Sequence, residues 1–101
     1  MAHQGKLTNE GLLILTSLAD EPKHGYAIQQ DIARLSGRRL GPGSLYGAIA
    51  RLEAANYIEP LTADGPRRPY RLTASGASAL AAELDALRRV TTTAARRLAA
   101  R

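Results

Sequence analysis

The side chains best suited to chemistry in this sequence are its arginines, and the chemistry open to them is the binding of anions. Residues 34–71 hold seven arginines against three acids, and residues 88–101 hold five arginines and no acid. Acids outnumber basic residues in the segments 1–33 and 72–87, so the net charge of +5 is concentrated in two zones. A pI of about 10.2 in so small a protein is typical of a nucleic-acid binder.

Catalytic, metal and cofactor chemistry finds little support in the sequence. There is no Cys, and the two histidines, His3 and His24, are far apart, so neither a thiolate site nor a dedicated metal site is expected. No nucleophile stands with a base and an orienting group, no carboxylates are paired, and Gly41-Pro42-Gly43 is too short and badly placed for a phosphate-binding loop. We therefore expect no enzyme activity, no cofactor and no metal.

Membrane insertion and secretion are not expected either. No apolar run reaches the roughly 18–20 residues of a membrane span. The N-terminal residues 1–6 lack the apolar segment of a signal peptide. These features favour a cytoplasmic protein without membrane contact.

The elements that must position the arginines are predicted from apolar periodicity, capping residues and turn signals. They are helices over 9–19, 25–36 and 44–55, extended segments over 57–62 and 68–72 around an Asp-Gly turn, and a long helix over 74–99. Thr8, Ser44 and Thr73 are the predicted N-caps, and Leu40 is a candidate for a brief strand. The order predicts a mainly α fold with a small β-hairpin, a winged helix-turn-helix over 1–73 followed by a dimerisation helix over 74–101. With no Phe or Trp, its core must be aliphatic.

The third predicted helix has a buried stripe of Leu45, Ile49 and Leu52 and a small, basic opposite face. That face and its flank comprise Ser44, Tyr46, Gly47, Ala50, Arg51 and Ala54. Ser44 and Tyr46 are placed to bind phosphates, and Arg51 can reach a guanine edge or a phosphate. The alternative is that Ser44 is only a cap, that Tyr46 packs against the wing and that Arg51 is solvated.

The predicted hairpin adds Arg67 and Arg68 near its tip, where arginine can enter a minor groove or follow phosphates. Lys23, before the second helix, is a further candidate phosphate contact. Arg71 is expected to face the protein. The alternative interpretation of the hairpin is that its charges protect an exposed strand edge.

Two helices carry more apolar surface than one small chain is expected to cover. Ala77, Leu80, Leu84, Leu87, Thr91, Ala94 and Leu98 follow one another at spacings of three and four in the last helix, which is the pattern of a paired helix. The first helix is apolar on several sides. We predict a two-fold interface formed by Leu12 or Leu15 with Leu80, Leu84 and Leu87. In the alternative, the leucines of the last helix fold back on their own winged helix.

Three elements, in order and correctly spaced, resemble the PadR family of bacterial transcriptional regulators over about residues 10–100. They are His-Gly-Tyr at 24–26, Pro-Gly-Ser-Leu-Tyr at 42–46 and Tyr-Arg-Leu-Thr-Ala-Ser-Gly at 70–76. The single C-terminal helix resembles the small PadR subfamily. The resemblance implies that Gly25 permits a turn and that Tyr26 packs under the helix-turn-helix. Gly47 stands where the family motif usually has Pro.

The resemblance also implies a homodimeric repressor that binds a near-palindromic DNA operator and releases it on binding a small aromatic or drug-like effector. Some small members hold flat ligands with a Trp of the last helix, and this chain has no Trp. The second hypothesis is a winged-helix module that binds an acidic protein partner. A protein-binding helix should present apolar or acidic residues, whereas the third helix presents small residues and Arg51, which favours DNA.

Overall fold

The computed structural model describes residues 7–63 and 65–101, and within them the chain forms a winged helix-turn-helix with a long last helix. The elements are α1 (Asn9–Leu18), β1 (Lys23–His24), α2 (Gly25–Ser36), α3 (Pro42–Ala54), β2 (Ile58–Pro60), β3 (Pro69–Leu72) and α4 (Ala74–Ala99). The predicted fold class is confirmed. His3 and Asp64, which entered the sequence predictions, lie outside the described residues.

Most helix ends follow the local sequence signals. The Thr8 hydroxyl accepts a hydrogen bond from the Gly11 amide at 3.0 Å, and the Thr73 hydroxyl accepts one from the Gly76 amide at 2.9 Å. Gly37 ends α2 with a left-handed φ of 78°. Since each cap satisfies backbone groups that the helix itself leaves free, these ends are determined locally.

The start of α3 differs from the prediction. The helix begins at Pro42 with Gly41 as its N-cap, so Ser44 is inside the first turn and is not the cap. Proline is favoured at the first helical position because its missing N–H would have had no intrahelical partner there. At the other end, Asn56 has a φ of 65°, the left-handed geometry that the sequence indicated.

The wing is a three-stranded antiparallel sheet in the order β1-β3-β2. The predicted hairpin forms its β2–β3 part, with Glu59 opposite Arg71. β1 was not predicted: it is two residues long and pairs Lys23 with Tyr70. Leu40 forms no strand; its side chain packs against the core instead.

The core is aliphatic, as expected, and it includes a residue of α4. Its members are Ile14, Leu15, Leu18, Ile28, Ile32, Leu45, Ala48, Ile49, Leu52, Ile58 and Leu80. Leu15 is 0% exposed and Leu80 is 8% exposed, whereas Leu12 is partly buried and packs against this core. Leu15 and Leu80, predicted for the dimer interface, therefore belong to the core of their own chain and leave almost no surface for a partner.

The beginning of α4 is held against the end of α3. Thr73 donates its hydroxyl proton to the Asn56 carbonyl at 2.6 Å, and its amide donates to the Tyr57 carbonyl at 3.1 Å. Gly76 lies so close that a Cβ atom there would be 2.9 Å from both the Tyr57 carbonyl carbon and Leu72 Cδ1. Only glycine fits this contact, which gives the Tyr-x-Leu-Thr-x-x-Gly element a structural reason.

The later turns of α4 extend beyond this core. The helix has 26 residues, which at about 1.5 Å per residue spans most of the 56 Å long axis of the chain. Leu84 and Leu87 are each 37% exposed, and Val90 and Leu98 are each 63% exposed. The alternative in which the leucines fold back on their own chain holds for Leu80 only.

Candidate nucleic-acid interface

The outward face of α3 is made of small residues. Gly43, Gly47, Ala50 and Ala54 follow one another at spacings of four, three and four, so they lie on one side of the helix, and all but the half-buried Gly47 are exposed. The buried Leu45, Ala48, Ile49 and Leu52 form the opposite side. A helix with such a face can approach another surface closely along its axis.

Arg51 adds the longest side chain to this face. It is exposed, and its Nη1 would be 3.6 Å from a Cβ atom added at Gly47, one turn earlier. The guanidinium therefore lies over the small residues of α3. Ser44, also exposed, stands two turns before Arg51 on the same flank.

Tyr46 joins the start of α3 to the start of α2. A Cβ atom at Gly25 would be 2.8 Å from Tyr46 Cζ, so the phenol ring lies directly on the Gly25 backbone. Gly25 does not have a positive φ; the position needs glycine because of this contact. Tyr26 does not pack under the helix-turn-helix as the resemblance implied: it is 58% exposed, and its hydroxyl accepts a hydrogen bond from Gln30 Nε2 at 3.2 Å.

Tyr70 of the central strand joins the wing to the other flank of α3. Burial raises the pKa of the Tyr70 phenol, the Glu53 carboxylate raises it further, and the Arg68 guanidinium acts in the opposite direction. Tyr46 also contributes to this environment. Two residues of α3 and one of the wing are thus close enough to influence a single phenol.

The wing arginines divide into two kinds. Arg67 and Arg68 are exposed, and Arg67 Nη1 lies 3.5 Å from His24 Nε2, next to the start of α2. Arg71 instead donates from Nε to Glu59 Oε2 at 2.8 Å, across the β2–β3 pair. Arg71 therefore serves the sheet, as expected, while Arg67 and Arg68 face solvent.

Lys23 is turned inward. Its Nζ donates to the Ser17 carbonyl near the end of α1 and, at 2.6 Å, to Asp20 Oδ1, and its side chain is only 11% exposed. The hydrogen bond from Lys23 lowers the pKa of the Asp20 carboxyl. Because this ammonium completes the end of a helix, we remove Lys23 from the predicted DNA contacts.

Five arginines of the central basic zone have no carboxylate partner within the described residues. Arg34 is paired with Asp31 at 3.1 Å, and Arg71 is paired with Glu59. The five others are exposed and are Arg38, Arg39, Arg51, Arg67 and Arg68. The predicted contacts omitted Arg38 and Arg39, although their position immediately before the third helix was visible in the sequence.

Other site types find no counterpart in the part of the chain that the structure describes. Across residues 7–63 and 65–101, no three His, Asp or Glu side chains come together as metal ligands would. None of the helices described is both long enough and apolar enough to cross a bilayer.

Comparison with known proteins identifies the family. Residues 14–82 match the family described as "Transcriptional regulator PadR-like family". The chain belongs to this family. This PadR-like regulator is 40% identical over 79 residues to "Transcriptional regulator Rv3488" of Mycobacterium tuberculosis, an alignment that covers 75% of this chain and 73% of that protein. The PadR resemblance drawn from the three sequence elements is thereby confirmed, and transcriptional regulation is the function of the family.

Two further comparisons place this PadR-like regulator among its relatives. It is 50% identical over 84 residues to the "Uncharacterized 37.1 kDa protein in transposon TN4556" of Streptomyces fradiae, covering 82% of this chain but only 24% of that protein. The chain thus spans about a quarter of the length of this relative. A crystal structure of a PadR family transcription regulator from Clostridium difficile R20291 has a TM-score of 0.80 at 24% identity, covering 90% of this chain and 99% of that one. This likeness supports the fold.

Proposed function

We propose that this PadR-like regulator is a homodimeric repressor that binds a near-palindromic DNA operator with α3 in the major groove. The observation that carries the proposal is the face of α3: small residues along its length and Arg51, without an ion pair in the described chain, lying across them. A major groove admits a helix, and an exposed guanidinium there can bind guanine O6 and N7. The methyl groups of Ala50 and Ala54 suit contact with thymine methyl groups.

Residues at the start of α3 would bind the backbone rather than the bases. Ser44 lies in the first turn, where Gly41 supplies no side chain to cap the free amides. A phosphate can be bound by such amides together with the Ser44 hydroxyl. The Tyr46 hydroxyl, held against Gly25 and half-exposed, is suited to the same strand.

The wing would bind the DNA beside the recognition helix. Arg67 and Arg68 are exposed, and the contact between Arg67 and His24 connects the wing to the start of α2. A narrow minor groove has a strongly negative potential that attracts arginine. Their role is therefore to add affinity and a preference for groove width, while α3 reads the base sequence.

The later turns of α4 would form the dimer interface. Leu84 and Leu87 are partly exposed, and Val90 and Leu98 are largely exposed on the same helix. An apolar surface of this kind beyond the core is typical of a contact between proteins, and a two-fold dimer places the same patch on both partners. We therefore assign residues 74–101 as the dimerisation helix, with Leu12 at the edge of the contact.

An effector would act through the same helices. The family resemblance implies release of DNA by a small aromatic or drug-like molecule, and Val90, Ala94 and Leu98 offer it an apolar surface flanked by Arg89 and Arg97. A ligand that changes the angle between two such helices changes the distance between the two recognition helices. The two copies of α3 would then no longer match the half-sites.

Selection of bound duplexes from a random DNA pool tests the proposal. The selected sequences should be near-palindromic, with half-sites separated by about one turn, or roughly 34–36 Å. Enrichment of no common sequence at moderate salt would exclude a specific operator. Strong binding to acidic proteins together with weak, sequence-independent DNA binding would favour the protein-partner hypothesis instead.

A further inference from the structure

We propose that Arg38 and Arg39, in the turn between α2 and α3, bind two DNA phosphates that border the groove occupied by α3. The inference rests on the proposed function and adds a contact to it that the sequence prediction did not include. Its basis is a turn whose backbone is fixed while its two cationic side chains are exposed and have no carboxylate partner among the described residues.

The first half of the turn is fixed by a serine and a glycine. The Arg38 amide donates to Ser36 Oγ at 3.2 Å, and the Ser36 hydroxyl donates back to the Ile32 carbonyl at 2.8 Å. Gly37 provides the left-handed φ of 78° that reverses the chain at the end of α2. The backbone that carries Arg38 is therefore connected to the last turn of α2.

The second half is fixed by Leu40. Gln29 Nε2 donates to the Leu40 carbonyl at 2.5 Å, and the Leu40 side chain packs against the core. Arg38 and Arg39 are thus held between two anchored residues, Ser36 and Leu40. A fixed backbone lowers the entropy cost when a side chain becomes ordered on binding.

The position of the turn relative to α3 determines what the arginines can reach. Arg39 stands two residues before Gly41, the N-cap of α3, so their Cα atoms are at most about 7.6 Å apart. When the N-terminal part of α3 enters a groove, the nearest groups to this turn are the phosphates at the edge of that groove. Guanidinium groups bind phosphate through paired hydrogen bonds.

Phosphate contacts position a protein on DNA without reading sequence. Arg38 and Arg39 should therefore add affinity equally on all duplexes, whereas Arg51 should add it on the operator. This difference separates the turn from the recognition helix in a binding experiment.

The test compares Arg38→Ala with Arg39→Ala as a double variant, the wild type, and a charge-matched control, Arg89→Ala with Arg96→Ala. The control removes the same charge from α4, seven residues apart, on the side of the helix away from Leu84 and Leu87. Affinity for the selected duplex and for a shuffled one is measured over a range of salt concentrations. Circular dichroism establishes that each variant is folded.

The expected result is a slope of log affinity against log salt that becomes shallower by about 0.9 for each phosphate that the variant no longer binds. Preference for the selected over the shuffled duplex should stay unchanged, and the control should keep the wild-type slope. The double lysine variant, Arg38→Lys with Arg39→Lys, should retain most of the slope because it retains the charge.

Each contrary result has a distinct meaning. An unchanged slope in the alanine variant, with the wild type binding its operator, overturns the role of the turn and leaves the proposed function standing. An equally shallow slope in the control shows a general effect of charge, which also overturns it, and so does a change in base preference. Absence of DNA binding by the wild type overturns the proposed function itself.

Discussion

Replacing Gly76 by alanine should destabilise the chain, although alanine favours helices. The added Cβ atom would be 2.9 Å from Leu72 Cδ1 and from the Tyr57 carbonyl carbon, distances that Cβ atoms in proteins essentially never show. Leu72 can change its rotamer. The Tyr57 backbone cannot move freely, because its amide donates to the Leu52 carbonyl at 3.0 Å.

The start of α4 must therefore move away from the end of α3. This movement breaks the two hydrogen bonds that Thr73 donates to the Asn56 and Tyr57 carbonyls, which contribute about 1 kcal/mol each, and overpacking costs about 1–3 kcal/mol more. Alanine returns about 1 kcal/mol of helix propensity. The net destabilisation should be about 2–3 kcal/mol, which in a domain of this size lowers the unfolding temperature by roughly 8–20 °C.

Thermal unfolding followed by circular dichroism at one protein concentration measures this destabilisation. Gly47→Ala is the matched control, because the nearest atom to its added Cβ would be Arg51 Nη1 at an ordinary 3.6 Å. That variant should gain about 0.5–1 kcal/mol. If Gly76→Ala unfolds at or above the wild-type temperature, or if the two variants behave alike, the close approach of α4 to Tyr57 is refuted.

Three further predictions concern the core, the wing and the dimer. Ser17→Ala should stabilise by about 1 kcal/mol in urea unfolding, because Ser17 Oγ is buried and has no hydrogen-bond partner in the described chain; a decrease in stability would reveal a partner. Arg67→Ala with Arg68→Ala should change stability by less than about 0.5 kcal/mol and make the salt slope of DNA binding shallower by about 0.9 for each phosphate released; an unchanged slope would place the wing off the DNA. Leu84→Asp with Leu87→Asp should give a monomer in light scattering with much weaker operator binding, since charge is unfavourable in an apolar contact; a persistent dimer would place the interface elsewhere.

Local signals were enough to predict most of the fold. Thr8 and Thr73 are caps whose partners lie three residues away, and Gly37 ends its helix by its own conformation. The start of α3 was also readable, since Pro42 after Gly41 is a typical first turn, but the glycine-rich stretch favoured a connector. β1 could not be predicted from its two residues, because only pairing with distant β3 makes them a strand.

The parts of the site that depend on tertiary contacts were harder to predict. Charge alone placed Lys23 with the DNA contacts, and only the fold reveals that its ammonium completes the end of α1. Helical spacing could not distinguish a leucine buried in its own core, such as Leu80, from one left exposed, such as Leu84. The need for glycine at position 25 comes from Tyr46, which is 21 residues away.

The most direct test of the account is the affinity of wild type and Arg51→Ala for the selected operator and for operators changed at one base per half-site. The account predicts that the wild type discriminates against each change at the bases that α3 reads by about 1–3 kcal/mol. Arg51→Ala should bind the operator more weakly by about 1–3 kcal/mol and should no longer discriminate at one position per half-site. Equal wild-type affinity for all of these duplexes, or a variant weakened equally on every one, would contradict recognition of DNA sequence by Arg51 on α3.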